Sequence, residues 1–228
     1  MIDVKIDEFK NLLSLAGAFT SEATFNVKGD RLELMVIDDA HVAMAKGSIA
    51  LNSTPEVDCF TVDVEKVLKA LATTGSDVKI SVGEGILALR GDKSRANISL
   101  VGSVGKPLRE PQFEATASAK IQPSRLKSVL DFGAYSKTDY VKIMIAEGKM
   151  SISAGLYPNV AIVDGDEVGE GDAVAGFMAD YVATAVKLAN TAKSDLTIKL
   201  MGDDRPALFE WQGETSNYSV LVAPRIES

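Results

Sequence analysis

The residues with chemistry to offer are few. Asp38 and Asp39 stand beside His41, the single histidine among 228 residues, and a carboxylate near an imidazole could relay a proton. One histidine excludes a multi-histidine metal site and leaves any histidine-based triad resting on one turn residue. Acids at a strand end are first of all turn formers, because their short side chains bond nearby backbone amides. Cys59, the only cysteine, lies in an apolar stretch and is expected to be buried packing rather than a reactive thiol. Asp164, Asp166, Glu167, Glu170 and Asp172 share a loop with Gly165, Gly169 and Gly171. Their spacing does not match a twelve-residue calcium loop and predicts a solvated hairpin. No Walker loop, dinucleotide fingerprint or nucleophile elbow occurs. The expectation is a non-enzyme with no metal and no cofactor; a small hydrolase using Asp38, Asp39 and His41 is the remaining catalytic reading.

Binding is then the function to seek, and the basic residues are the ones to place. They fall on the non-apolar sides of four stretches that repeat apolar or small residues at i, i+3, i+4 and i+7. These stretches are Phe9, Leu12, Leu13, Ala16; Val64, Val67, Leu68, Leu71; Leu126, Val129, Leu130, Gly133; and Val182, Ala185, Val186, Ala189. Each predicts a helix with one buried face, Asp7, Asp63 and Asp180 as N-caps and Pro123 at a first helical position. Lys10, Lys66, Lys69, Arg125, Lys127 and Lys187 lie on these helices, with Lys193 just beyond. On charge alone they read as solvated faces.

Between the helices the pattern changes to period two, as in Arg31 to Val36 and Lys149 to Ser153, with Gly29-Asp30 and Glu147-Gly148 as hairpin turns. Met1 to Ile6 also alternates and reads as a strand rather than a signal peptide. The class is α+β: two topologically similar domains, each a mostly antiparallel sheet with two helices on one face. The halves echo one another, most plainly in Ser76 to Val82 against Ser194 to Leu200, each after a helical stretch and before a turn. The expected division is 1–102, a connector over 103–115 holding Gly105, Pro107 and Pro111, and 116–228. No apolar run reaches the roughly 20 residues of a membrane helix, so a cytoplasmic protein is expected. A formal charge of −8 argues against a surface that coats nucleic acid all over, but not against a local basic lining.

Three stretches carry a resemblance. Tyr218 to Glu227 resembles the C-terminal signature of the DNA sliding clamps of archaea and eukaryotes, the proliferating cell nuclear antigen (PCNA) family. Ile37 to Met44 is similar to that family's first-domain loop, and Glu110-Pro111-Gln112-Phe113 to its interdomain loop. Phe177 to Lys187 and Ser194 to Pro206 follow its second-domain helix and strands, so the resemblance runs the length of the chain.

The resemblance implies a homotrimeric ring, with sheets outside and twelve helices lining a channel around duplex DNA, sequence-independently. Lys10, Lys66, Lys69, Arg125, Lys127, Lys187 and Lys193 fall at or near channel positions. It also implies a groove for short peptides of DNA polymerase, clamp loader and other partners, using Ile37, His41, Val42, Met44, Leu108, Pro111, Pro206, Leu221, Ala223, Pro224 and Ile226. Ring closure would pair the edge Arg95 to Val101 with Asn159 to Asp164, so that Ala96, Ile98 and Leu100 face Val160 and Ile162 or lie beside them. The implied function is a DNA polymerase processivity factor serving replication and repair. A divergent viral or heteromeric clamp subunit is the alternative. Asn11, where the family often adds a second base, and Asp180, an acid on a DNA-facing helix, depart from the pattern.

Overall fold

The computed structural model describes residues 1–53, 55–74, 78–92, 94–102, 108–109, 111–156 and 159–225. The chain divides into two compact units, one of Met1–Arg109 with Gly213–Tyr218, the other of Glu110–Gln212 with Ser219–Ser228. The units are therefore not consecutive blocks, as the division into 1–102 and 116–228 expected. A short segment from near the C-terminus belongs with the first.

The first unit runs α1 (Ile6–Gly17), β1 (Glu22–Lys28), β2 (Arg31–Ile37), β3 (Ala43–Ala50), β4 (Cys59–Asp63), α2 (Val64–Thr74), β5 (Lys79–Gly83), β6 (Ile86–Arg90) and β7 (Arg95–Ser99). The second runs β8 (Ala117–Ile121), α3 (Pro123–Tyr135), β9 (Tyr140–Ala146), β10 (Lys149–Leu156), β11 (Asn159–Asp164), β12 (Glu167–Val168), β13 (Ala173–Met178), α4 (Ala179–Thr191), β14 (Leu196–Leu200), β15 (Ala207–Gln212) and β16 (Ser216–Val222), the last with its residues up to Tyr218 in the first unit. Strand order makes the duplication explicit. In the first unit the order is β3-β2-β1-β4, with β5-β6-β7 alongside; in the second it is β11-β10-β9-β13, with β14-β15-β16. Even the N-terminal stretch has its counterpart: Ile2 bridges Ile80 on β5, as β8 pairs with β14. Met1 to Ile6 forms only such isolated bridges, because the helix already begins at Ile6.

The helices form where the apolar spacing places them. Phe9, Leu12, Leu13 and Ala16 of α1 are buried, as are Val64, Val67 and Leu71 of α2, Leu126, Val129, Leu130 and Gly133 of α3, and Val182, Ala185, Val186 and Ala189 of α4. Phe25 links the α1 face to the sheet, its ring centroid 5.7 Å from Phe9 and 5.2 Å from Phe60. Asp63 caps α2 by accepting the Lys66 amide at 3.0 Å, and Pro123 opens α3. Asp7 and Asp180 are not caps. Lys5 and Met178 take those positions, and the two acids sit inside the first turn, where the helix dipole still favours them.

The hairpins Glu84-Gly85 and Glu147-Gly148 hold both central residues at positive φ, between 51° and 74°. That is the turn whose twist matches antiparallel strands, and glycine takes its second position without strain.

Cys59 corrects an expectation. It opens the edge strand β4 and is exposed, because Phe60 and Val62 take the inward positions of the alternation. The acidic loop is exposed, as its solvated reading expects: Asp164, Asp166, Glu167, Glu170 and Asp172 all face solvent. Three of them also have partners: Glu167–Val168 pairs with β8 and Glu167 with Lys120, Asp166 accepts the Gln122 amide at 3.1 Å and Asp172 the Glu147 amide at 3.0 Å.

What ties Gly213–Tyr218 to the first unit is a buried carboxylate. Glu8 lies on the inward face of α1, 7% exposed, and accepts the Thr215 amide at 2.7 Å, the Thr215 hydroxyl and the Ser216 hydroxyl at 3.2 Å. The Tyr218 hydroxyl donates to the Glu8 carbonyl at 3.3 Å. Burial pushes the Tyr218 phenol up to about 12 from 10.0. A raised folded value means the contribution is complete below pH 10 and is lost as pH rises toward 12, at most about 3 kcal/mol. Tyr218→Phe is expected to flatten the fall in stability over that window, read as urea midpoints at pH 10 and pH 12.

Candidate nucleic-acid and partner-binding surfaces

The seven cations proposed for DNA divide between the units. Lys10, Lys66 and Lys69 project from α1 and α2; Arg125, Lys127 and Lys187 project from α3 and α4, and Lys193 follows α4. All are at least partly exposed, because the apolar faces of their helices turn inward and leave the basic positions outward. Most are not bare. Lys66 lies 2.9 Å from the Asp63 carboxylate, Lys69 2.5 Å from Glu65, Lys127 2.6 Å from Asp131 and Lys10 3.9 Å from Asp7. Arg125 pairs with the Asp166 carboxylate and donates to the Asp164 carbonyl at 2.9 Å. The hydrogen bonds from Lys66, backbone first and ammonium second, hold the Asp63 carboxyl below its usual value.

The loop after β2 is built by Asp38. Its carboxylate, 8% exposed with its residue, accepts the amides of Val42 at 2.8 Å and Ala43 at 2.7 Å, and its own amide donates to the Ala43 carbonyl at 3.0 Å. His41 rides on that turn at φ 57°, exposed. The carboxylate is thus committed to backbone amides and serves loop geometry. Asp38→Ala leaves two amides without their acceptor and is expected to cost about 2–3 kcal/mol in urea unfolding, with Asp38→Asn recovering part.

The apolar residues proposed for partner binding stand off the core. In the first unit Ile37, Val42 and Met44 are half-buried, while Ala43 and Ala45 point inward, and Leu108 is 41% exposed. In the second, Pro111 is exposed and Pro206, Leu221, Ala223 and Pro224 are half-buried, with Val220 and Val222 inward. Ile226 and connector residues 103–107 and 110 lie outside the described residues. The tail carrying Ala223 and Pro224 is held by Arg225. Its amide donates to the Gly176 carbonyl at 2.8 Å, and its guanidinium lies 2.6 Å from Asp139, holding that carboxyl below its usual range. A lowered value keeps this ion pair intact at neutral pH and loosens it only as pH falls into the carboxylate range.

Two strand edges complete the picture. In the first unit the outer edge of β3 is occupied by the Gly213–Tyr218 segment, with the Ala50 amide on the Thr215 carbonyl at 3.1 Å. The equivalent strand of the second unit is β11. Among the described residues no strand lies on its outer edge, and Val160 and Ile162 are 41% and 65% exposed there. On β7, Ile98 is buried and Ala96 half-buried, and Leu100 just beyond it is half-buried too, so these side chains face their own unit. On β7 the exposed positions are Arg95, Asn97 and Ser99.

The sequence carried a signal for Glu8 that went unread. Glu8, Leu12 and Leu15 are spaced to share the inward face of α1. The ion pairs of Asp139 and Asp166 carried none, since their partners lie 86 and 41 residues away.

No family model matches the chain. It is 24% identical to the DNA polymerase sliding clamp of Methanococcus maripaludis strain S2, with 97% of this chain and 96% of that one covered. Among solved structures it is similar to an A. fulgidus PCNA bound to the C-terminal region of FEN-1, with a TM-score of 0.89, 22% identity and both chains fully covered. It is also similar to a PCNA2–PCNA3 complex from Sulfolobus tokodaii, with a TM-score of 0.83, 17% identity, and 99% and 98% covered. Together they show the fold: the DNA clamp fold, along the whole length of the chain. The curated relatives it is similar to are archaeal DNA polymerase sliding clamps, and the solved structures are PCNAs.

Proposed function

We propose that three copies of this chain close head to tail into a ring around duplex DNA and tether replication and repair enzymes to it, without catalysis of their own. The observation that carries the reading is the uneven treatment of one duplicated edge. β3 has a neighbour on its outer side, whereas β11, its equivalent, presents an apolar edge without one among the described residues. A free apolar edge is a liability unless another chain covers it. Within the duplicated pattern β7 is the equivalent of β16, which neighbours β3, so β7 of the next copy is the strand that fits β11. Such a contact is heterologous and repeats until the rotation closes.

The basic residues of α1 to α4 and Lys193 would then touch phosphates without reading bases, which suits sliding. Partner peptides would place their anchors on Ile37, His41, Val42, Met44 and Leu108 of the first unit and on Pro111, Pro206, Leu221, Ala223, Pro224 and Ile226 of the second. The FEN-1 segment carried by the A. fulgidus relative supports that part of the reading. No helix among the described residues is long and apolar enough to cross a membrane, in keeping with action on DNA in the cytoplasm.

The S. tokodaii pair favours one further reading, a ring of unlike chains. Native mass measurement at moderate ionic strength separates them. A species of three times 24.2 kDa is expected, and a strict monomer at high micromolar concentration would sink the homotrimer.

A further inference from the structure

The four helices proposed to face DNA are nearly neutral. They carry six basic residues, Lys10, Lys66, Lys69, Arg125, Lys127 and Lys187, against five acidic ones, Asp7, Glu8, Glu65, Asp131 and Asp180. Five of the six bases have a carboxylate within ion-pair distance, two of those carboxylates coming from Asp63 and Asp166 just outside the helices. Among the described residues no ion pair involves Lys187 or Lys193.

Ordinary helix stabilisation accounts for part of this, since acid–base pairs three or four residues apart support a helix by a few tenths of a kcal/mol. It does not account for Arg125. Its partner Asp166 lies 41 residues on, beside β12, and also holds the Gln122 amide at the start of α3. The two ends of the guanidinium are taken by Asp166 and the Asp164 carbonyl, the acceptors a phosphate would otherwise supply.

Resting on the clamp reading above, we infer that Asp63, Glu65, Asp131 and Asp166 act as built-in phosphate surrogates that keep the helix cations neutralised, so that this chain has little intrinsic affinity for duplex DNA. Affinity from phosphate contacts comes from counterions released as net positive charge approaches the duplex. A cation already matched by a carboxylate brings no net charge, and an arriving phosphate must displace that carboxylate. Lys187 and Lys193 are left as the unmatched contacts in each chain. Enclosure, rather than attraction, would then hold the protein on DNA, and friction against sliding would be low.

The test replaces the four acids with their amides, Asp63→Asn, Glu65→Gln, Asp131→Asn and Asp166→Asn, in the full-length protein. Asparagine still caps a helix, and thermal unfolding checks that the fold is kept. Binding to a short linear duplex is followed by fluorescence anisotropy across a salt series. Four exposed acids away from the helices, Glu56, Glu84, Asp92 and Glu170, are changed to amides as a control for overall charge.

The helix variant should bind at least about tenfold tighter near 0.1 M salt, with a log–log salt slope steeper by up to about 4 per chain. The control should remain within about twofold of the parent. Unchanged binding by the helix variant, or an equal gain by the control, would overturn the inference. Native mass on the same samples keeps the two readings apart. A trimer whose duplex affinity does not respond loses only the surrogate account, whereas a monomer loses the ring, and the anisotropy gain still decides the charge account.

Discussion

Val160→Lys together with Ile162→Lys should turn a trimer into a monomer and abolish processivity. The two side chains are exposed on β11, where no described strand covers the edge. If β7 of another copy lies there, the substitution sets like charges side by side and adds Arg95 of that strand to the repulsion. Lysine on an edge is also the device by which proteins keep free strands from pairing. The expected result is at least about a hundredfold loss in association, or more than about 2.7 kcal/mol. Analytical ultracentrifugation checks it, with thermal unfolding as the control. Because both residues already face solvent within the chain, the monomer's own stability should move by less than about 0.5 kcal/mol. A variant that remains trimeric would move the subunit contact to another edge.

Ala223→Glu with Pro224→Glu should remove binding of clamp-binding peptides while leaving the trimer intact. Both residues are half-buried on a tail fixed by the Arg225 amide on Gly176 and the Arg225–Asp139 ion pair. A carboxylate there would be desolvated beneath an apolar anchor with no partner, a penalty of several kcal/mol. The expected loss is at least about a hundredfold, since a few anchor contacts carry most of the energy of such interfaces. Isothermal titration with a peptide from a replication enzyme of a relative's host measures it. Unaffected affinity would move the partner surface elsewhere.

The fold was legible where its determinants are local. All four helices could be read from apolar spacing, because one face of each must be buried whatever the topology. The hairpins at Gly29, Glu84 and Glu147 could be read from turn chemistry. Long-range matters were not. Glu8 meets Thr215 across 207 residues, and no periodicity announces that Gly213–Tyr218 leaves its own half. Cys59 and Ile98 lie on alternating strands, where a one-residue phase decides inward from outward. Apolar character alone left that phase open for Cys59.

The cations were legible as positions but not as charges. Lys66, Lys69 and Lys127 could be placed on outward helix faces from the sequence, and their i,i+3 and i,i+4 acids could have been counted there too. The pairing of Arg125 with Asp166 needed the fold, since β12 has to form against β8 before that acid comes within reach.

The central claim is topological, and DNA ends test it most directly. The protein is incubated with a linear duplex that has one free end, that end is then blocked with a bulky protein, and the complex is washed at high salt. A ring that threads over the free end should remain on the doubly blocked duplex and be lost from an otherwise identical duplex whose end stays open. Retention that ignores the state of the ends, or the absence of any salt-stable fraction on the blocked duplex, would contradict encirclement.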